Sequence, residues 1–178
     1  GMKEEKIVLA VGQFIPRKGF DILLASFIGM GKDIGLYIVG GEPTEEYISF
    51  VRDHNLSNVH FVGFKTKLEL AEYYCAADVF VLPTREDIWG LVINEAMAYG
   101  LPVITTDRCN AGLELIEDGK NGFIVPVDSS EKLIRAVINC FENLDIMSAL
   151  ALEKISEYTI EQMAKDHIKI LNNVRKDS

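Results

Sequence analysis

Two carboxylates eight residues apart, Asp87 and Glu95 in the segment DIWGLVINE, are the strongest candidates for chemistry in this 178-residue chain. The segment continues as AMAYGLPVIT. It sets Asp87 just before a helix and Glu95 inside it. Gly90 and Leu91 open that helix, where backbone N–H groups without intrahelical partners attract anions. Carboxylates accept hydrogen bonds from sugar and ribose hydroxyls, while helix-start amides hold a diphosphate. The combination suits a sugar nucleotide. A plain amphipathic helix with a solvated acid at each end fits the same letters.

A second constellation lies far upstream, in Gly12-Gln13-Phe14-Ile15-Pro16-Arg17-Lys18-Gly19. Its glycine spacing matches neither the dinucleotide fingerprint nor the P-loop, so both lose support. It does set Lys18 at the start of the first helix, where an ammonium and backbone amides can meet a diphosphate together. A solvated Arg17-Lys18 pair is the plain alternative. Gly40-Gly41 lets backbone approach a ligand closely, or makes an ordinary tight turn. Gly63-Phe64-Lys65 offers backbone and a ring to a nucleotide base, unless Phe64 caps the core edge. Glu86 sits beside Asp87, and either acid can face a sugar. Gly112 and Glu114 border the same region or merely begin a helix. Glu117, Asp118 and Asp128 read as solvated turn acids.

Other chemistries find no support. His54, His60 and His167 are scattered, and no His/Cys/Asp cluster has metal-ligand spacing. No serine nucleophile elbow and no Asp-x-Asp pair are present. No metal and no other cofactor is expected. The net charge of −9 argues against nonspecific nucleic-acid binding. A local cationic pocket can still hold an anion, because screening confines the long-range repulsion to about 8 Å at physiological salt. The three cysteines, Cys75, Cys109 and Cys140, lack redox or metal spacing and suit a reduced cytosol. No apolar run reaches membrane-spanning length. The expected location is cytoplasmic. Gly1 before Met2 reads as a cloning remnant, and a strand follows almost at once. The expectation is a piece cut from a longer protein.

The elements that must position these residues follow from periodicity. Apolar runs at Ile7–Val11, Leu36–Val39, Val59–Val62, Val79–Leu82, Val103–Thr105 and Gly122–Val125 predict six strands. Their near-continuous Val, Ile and Leu suit strands covered on both faces. Helical patterns at Phe20–Ile28, Glu45–His54, Leu68–Tyr74 and Gly90–Tyr99 alternate with them. This predicts an α/β fold with a doubly wound, six-stranded parallel sheet. Ser129–Asn143 carries one apolar face, and Ile160–Val174 another through Ile160, Met163, Ala164, His167 and Leu171. The expectation is one domain over residues 3–178, with a helical extension from about residue 145. Ligands of such sheets sit at the carboxyl ends of the strands, so the loops after strands one to four are the place to search.

Taken in order, G-x-F-x-x-x-K-G, IVGGEP, VHFVGF, YYCAADVFVLPT, DIWGLVINEAMAYGLPVITTD and ELIEDGKNGFIVPVDSSEKL resemble the C-terminal, donor-binding half of a family 4 (group 1) GT-B glycosyltransferase. The resemblance covers about residues 7 to 144. It implies that Lys18 contacts the diphosphate, with Gly12, Gln13, Arg17, Gly40 and Gly90 lining the donor site. It implies that Leu91 and Val92 offer amides to the phosphates and that Glu95 holds the ribose hydroxyls. Asp87 or Glu86 would face the transferred sugar, and Phe64 and Lys65 would border the base. Asp87, Glu95 and Lys18 would be the catalytic set. The family is similar in being metal-independent and mostly retaining. A missing N-terminal domain would bind the acceptor, which can lie at the inner membrane surface, and the isolated half would transfer nothing. Two positions depart from the pattern. Gln13 stands where the family has arginine, and Asp87 stands where it has glutamate. The competing readings are half of a sugar-nucleotide epimerase and a non-catalytic module that binds a protein partner.

Overall fold

Strands buried on both faces must find helices for both, and the chain supplies them alternately. The structure, a computed structural model, describes residues 2–174, with the side chains at 160, 166 and 170–174 outside the description. The strands are β1 (Lys6–Val11), β2 (Ile34–Val39), β3 (Val59–Val62), β4 (Val79–Leu82), β5 (Val103–Thr106) and β6 (Gly122–Val125). All pair in parallel, in the order β3-β2-β1-β4-β5-β6. The doubly wound expectation is met.

Helices α1 (Phe20–Ser26), α2 (Glu45–Asp53) and α6 (Ser130–Glu142) cover one face. Helices α3 (Lys67–Ala76), α4 (Leu91–Ala98), α5 (Asn110–Leu115) and α7 (Leu144–Ser156) cover the other. Alternation along β1 shows how one strand serves both. Val8 and Ala10 pack with Leu23, Leu24 and Val137, while Ile7 and Leu9 join the cluster of Ile93, Met97 and Leu115. Helix α8 (Ile160–Val174) follows α7. In the expected stripe of α8, Met163 is exposed, and Ile160 and Leu171 lie outside the described side chains. No helix of the described residues is long and apolar enough to cross a membrane.

Three helices depart most from the periodicity. Helix α1 stops at Ser26 rather than Ile28, because the Phe27 N–H turns back to Leu24 O and Gly29 enters the left-handed region at φ 85°. Helix α5 is short; it bears out the helix alternative for Gly112 and Glu114 but opens at Asn110. Helix α7 falls within the expected extension but shows no clean stripe. Its Met147 and Ala151 are buried while Ile146 and Leu152 stay exposed, so apolar letters fall on every side.

The sheet order sets the site. The chain winds outward one way from β1 to β3 and the other way from β4 to β6. The carboxyl ends of β1 and β4 therefore face a crevice where the winding reverses, the usual ligand position in open α/β sheets.

Candidate functional site

The loop after β1 and the loop after β4 meet in that crevice. Pro16–Lys18 forms a 3-10 turn, closed by Gly19 in the left-handed conformation at φ 68°. Lys18 thus ends a turn ahead of α1 instead of opening α1, a correction to the sequence expectation. Gly19 is where the loops touch. A Cβ there would lie 2.1 Å from the Pro83 carbonyl oxygen, so any side chain forces the loops apart. Backbone bonds then lock them. Arg85 N–H donates to Arg17 O at 2.7 Å. The Thr84 hydroxyl lies between Arg17 O, at 3.0 Å, and Glu86 O, at 2.9 Å. Thr84 in turn accepts from the Thr106 hydroxyl, which ties in β5.

Across this seam Lys18 Nζ lies 2.7 Å from Asp87 Oδ2, with both side chains 14% exposed. Arg17 Nη1 donates to Glu86 O at 2.9 Å and stands 3.9 Å from Asp87 Oδ1. Two cations therefore converge on one carboxylate. Glu86 is exposed, and only its carbonyl joins the network. Of the two adjacent acids, Asp87 is the one turned into the crevice. Its backbone is held from β5's side, where Asp87 N–H donates to Arg108 O at 2.9 Å. A cleft of about 500 Å³ opens beside it, between Asp87, Ile88 and Arg108.

Arg85 braces three loops at once. Its guanidinium makes a two-pronged pair with Asp21, at 2.9 and 2.6 Å, and donates to Pro16 O. Its Nε lies 2.8 Å from Asp128 Oδ1. Burial pulls the Asp21 carboxyl upward, but the bonds and charge of Arg85 outweigh it and leave it below its ordinary value. Asp128 is the exposed turn acid that the sequence predicts, yet it also pairs with Arg85, for which the sequence signals no role. Nothing local to either residue signals a partner on another loop.

Helix α4 begins four residues after Asp87. Gly90, at φ 95°, is its N-cap, and a Cβ there would strike Cys109 Sγ at 2.7 Å. No side chain caps the helix, so the first-turn N–H groups of Leu91 and Val92 have no intrahelical acceptor. Leu91 itself is exposed. Glu95 follows on an exposed side of α4, and its Oε2 accepts from the Tyr74 hydroxyl at 2.9 Å. Tyr74 was also missed. The pair Tyr73-Tyr74 reads alike in sequence, and only packing singles out the buried one.

The glycines after β1 and β2 serve each other. A Cβ on Gly40 would meet Gly12 O at 2.1 Å, so the close approach is between these two strand ends. Gly41 has open space around it. Gly12 lies against the aliphatic stem of Lys18, at 3.5 Å from a Cβ position. Gln13 is exposed on the same loop. Phe64, after β3, is 83% exposed and does not cap the core. Lys65 sits beside it, 3.6 Å from Glu69. A larger cleft, about 920 Å³, opens on the other flank of α4, between Trp89, Leu91, Asn94, Tyr158 and Met163. It excludes Lys18, Asp87 and Glu95. The histidines stay apart. His60 pairs with Glu4, and His54 and His167 bond to backbone of their own helices. Gly112 and Glu114 both lie on α5, where Glu114 accepts from the Tyr158 hydroxyl.

The arrangement offers two cations on the Asp87 carboxylate, a helix amino end close by in sequence, and a second carboxylate, Glu95, on that same helix. The chain as a whole is similar to known proteins. The family model described as glycosyl transferases, group 1, matches residues 5–143. An uncharacterized glycosyltransferase of Methanocaldococcus jannaschii is 33% identical over 136 residues, covering 74% of this chain and 38% of that protein. The phosphatidyl-myo-inositol mannosyltransferase of Mycobacterium leprae is 29% identical over 178 residues, covering 95% of this chain and 47% of the relative. Sucrose-phosphate synthase from Thermosynechococcus elongatus superposes with a TM-score of 0.84 at 28% identity, over 98% of this chain and 46% of that one. The chain spans less than half the length of each. It belongs to the group 1 family of glycosyltransferases, and its fold is that of their C-terminal, GT-B-type half.

Proposed function

We propose that this chain is the donor half of a retaining hexosyltransferase that uses a nucleoside-diphosphate sugar. The observation that carries the reading is the meeting of Lys18 and Asp87 at 2.7 Å, four residues before α4, whose start no side chain caps. On this reading the diphosphate lies between Lys18, Arg17 and the amides of Leu91 and Val92. Gly12, Gln13, Gly40 and Gly90 line the approach. Asp87 takes hydroxyls of the transferred sugar, Glu95 takes those of the ribose, and Phe64 and Lys65 border the base. Glu86 stays at the rim.

Lys18, Arg17 and the helix amides supply positive charge where the leaving diphosphate develops negative charge, so the reaction needs no metal. Arg17 supplies charge that Gln13 does not. The likeness to a mannosyltransferase supports a hexose as the transferred sugar. The acceptor sits on a further N-terminal domain. The present chain, residues 3–178 with its helical extension, binds nucleotide weakly and transfers nothing alone. The full-length protein works in the cytoplasm, with an acceptor at the membrane surface.

NMR titration with UDP, GDP and ADP, and with their sugar conjugates, tests the reading. Amide shifts at Lys18, Gly90, Leu91 and Glu95 are expected at millimolar ligand, and EDTA should leave them unchanged. Silence at these positions with every nucleotide overturns the reading.

A further inference from the structure

Helix α3 exists for a local reason, and it delivers one side chain to the site. Thr66 and Glu69 form a capping box: Thr66 N–H donates to Glu69 Oε2 at 2.9 Å, and Glu69 N–H returns to Thr66 Oγ1 at 3.4 Å. Two turns later the helix buries Tyr74, 2% exposed, against the sheet. Its ring lies parallel to Tyr99 at 5.3 Å and tilted over Phe80 at 5.9 Å. The position of the ring is thereby fixed from two sides.

A phenol hydroxyl drawn out of water needs a partner. The one it has is Glu95 Oε2. Burial first, and then the neighbouring charge of Glu95, push the Tyr74 phenol far above its ordinary value. The hydroxyl therefore stays protonated and always donates. One carboxylate oxygen of Glu95 is occupied from within the protein, and the other, on an exposed side chain, accepts from no described residue. An exposed glutamate on a helix would otherwise sample many rotamers.

We infer that Tyr74 is a positioning residue for the nucleotide's ribose, clamping one oxygen of Glu95 so that the other meets the ribose hydroxyls in a single orientation. The inference rests on the donor reading of Glu95 given above. It assigns a role to a buried aromatic that otherwise reads as core filler. Preorganisation of this kind raises affinity only for ligands that use the clamped group.

The test compares UDP, GDP and ADP with their 2′,3′-dideoxy forms by calorimetry, on the present chain and on its Tyr74→Phe and Glu95→Gln variants. Phenylalanine keeps the ring and its stacking, so Y74F should retain the melting temperature of the parent within a few degrees. The parent is expected to prefer the ribose form. Y74F should lower that preference at least fivefold while binding the dideoxy form as the parent does. In the E95Q background the Tyr74 change should add nothing. If Y74F weakens both forms equally, Tyr74 is merely structural and the inference falls. If Y74F keeps the preference while E95Q abolishes it, the inference falls and the donor reading stands. If the parent shows no ribose preference, or E95Q leaves it intact, the ribose role of Glu95 fails and the inference fails with it.

Discussion

Lys18 and Asp87, 69 residues apart in sequence, meet at 2.7 Å across the seam between the β1 and β4 loops. The pair is mostly shielded, so its attraction is less screened than that of a surface pair. The cation expected to hold a diphosphate is engaged by a carboxylate. Binding must share or replace that partner, and this sets the outcome of several substitutions.

Lys18→Ala removes the shorter of the two cation contacts on Asp87 and leaves only Arg17, at 3.9 Å. Nucleoside diphosphate affinity is expected to fall at least tenfold, or about 1.4 kcal/mol. Urea unfolding should register a loss of about 1 kcal/mol from the half-abandoned carboxylate. Calorimetry showing unchanged affinity removes Lys18 from the site.

Asp87→Asn acts in the opposite direction on the phosphate and in the same direction on the sugar. It frees Lys18, so inorganic pyrophosphate should bind about three- to tenfold more tightly at low ionic strength, with the gain shrinking as salt rises. Preference for a sugar nucleotide over the bare nucleotide should fall, because an amide no longer accepts hydroxyls as a carboxylate does. An unchanged or increased preference for the sugar nucleotide over the bare nucleotide in D87N would contradict the assignment of Asp87 to the sugar.

Gly19→Ala tests whether the loop seam makes the site. Alanine in the left-handed region costs about 1–2 kcal/mol, and its methyl group would also collide with Pro83 O. The expected destabilisation is about 2–4 kcal/mol by chemical denaturation. Any folded fraction should bind nucleotide poorly, since Lys18 and Asp87 are pushed apart. Full stability in G19A would mean that the two loops are not in contact.

Acid stability should report on the other end of the sheet. Glu4 accepts from the Tyr37 hydroxyl at 2.9 Å and lies 2.8 Å from His60 Nε2. Burial pulls its carboxyl upward, but the bonds from His60 and Tyr37 win and bring it down to about 2 from 4.5. A folded-state value below the unfolded one stabilises the protein above the unfolded pKa. That contribution is lost as pH falls from about 4.5 through about 2. Melting curves across this window should steepen in the parent and flatten in Glu4→Gln. Identical pH profiles would sink the assignment.

The sequence alone determined the six strands, because strands buried on both faces must be written as unbroken Val, Ile and Leu. It determined that Gly90 opens α4 and that Glu95 lies inside it, since helix starts and carboxylates are local features. It pointed to Lys18 and Asp87 through separate local motifs, which only the family resemblance assigned to one site. Tertiary structure decided that they touch, because strand order follows from crossovers and not from any window of neighbouring residues. It decided between Glu86 and Asp87, and between Tyr73 and Tyr74, where adjacent and chemically similar residues differ only in what packs against them. It revealed Arg85 as the brace of three loops, whose partners Asp21, in the first turn of α1, and Asp128, after β6, lie far from it in sequence. It also defined α7, whose apolar residues carry no single period because the helix packs on α4 while leaving Ile146 exposed. Periodicity records which way a side chain points, and only the assembled sheet supplies what it points at.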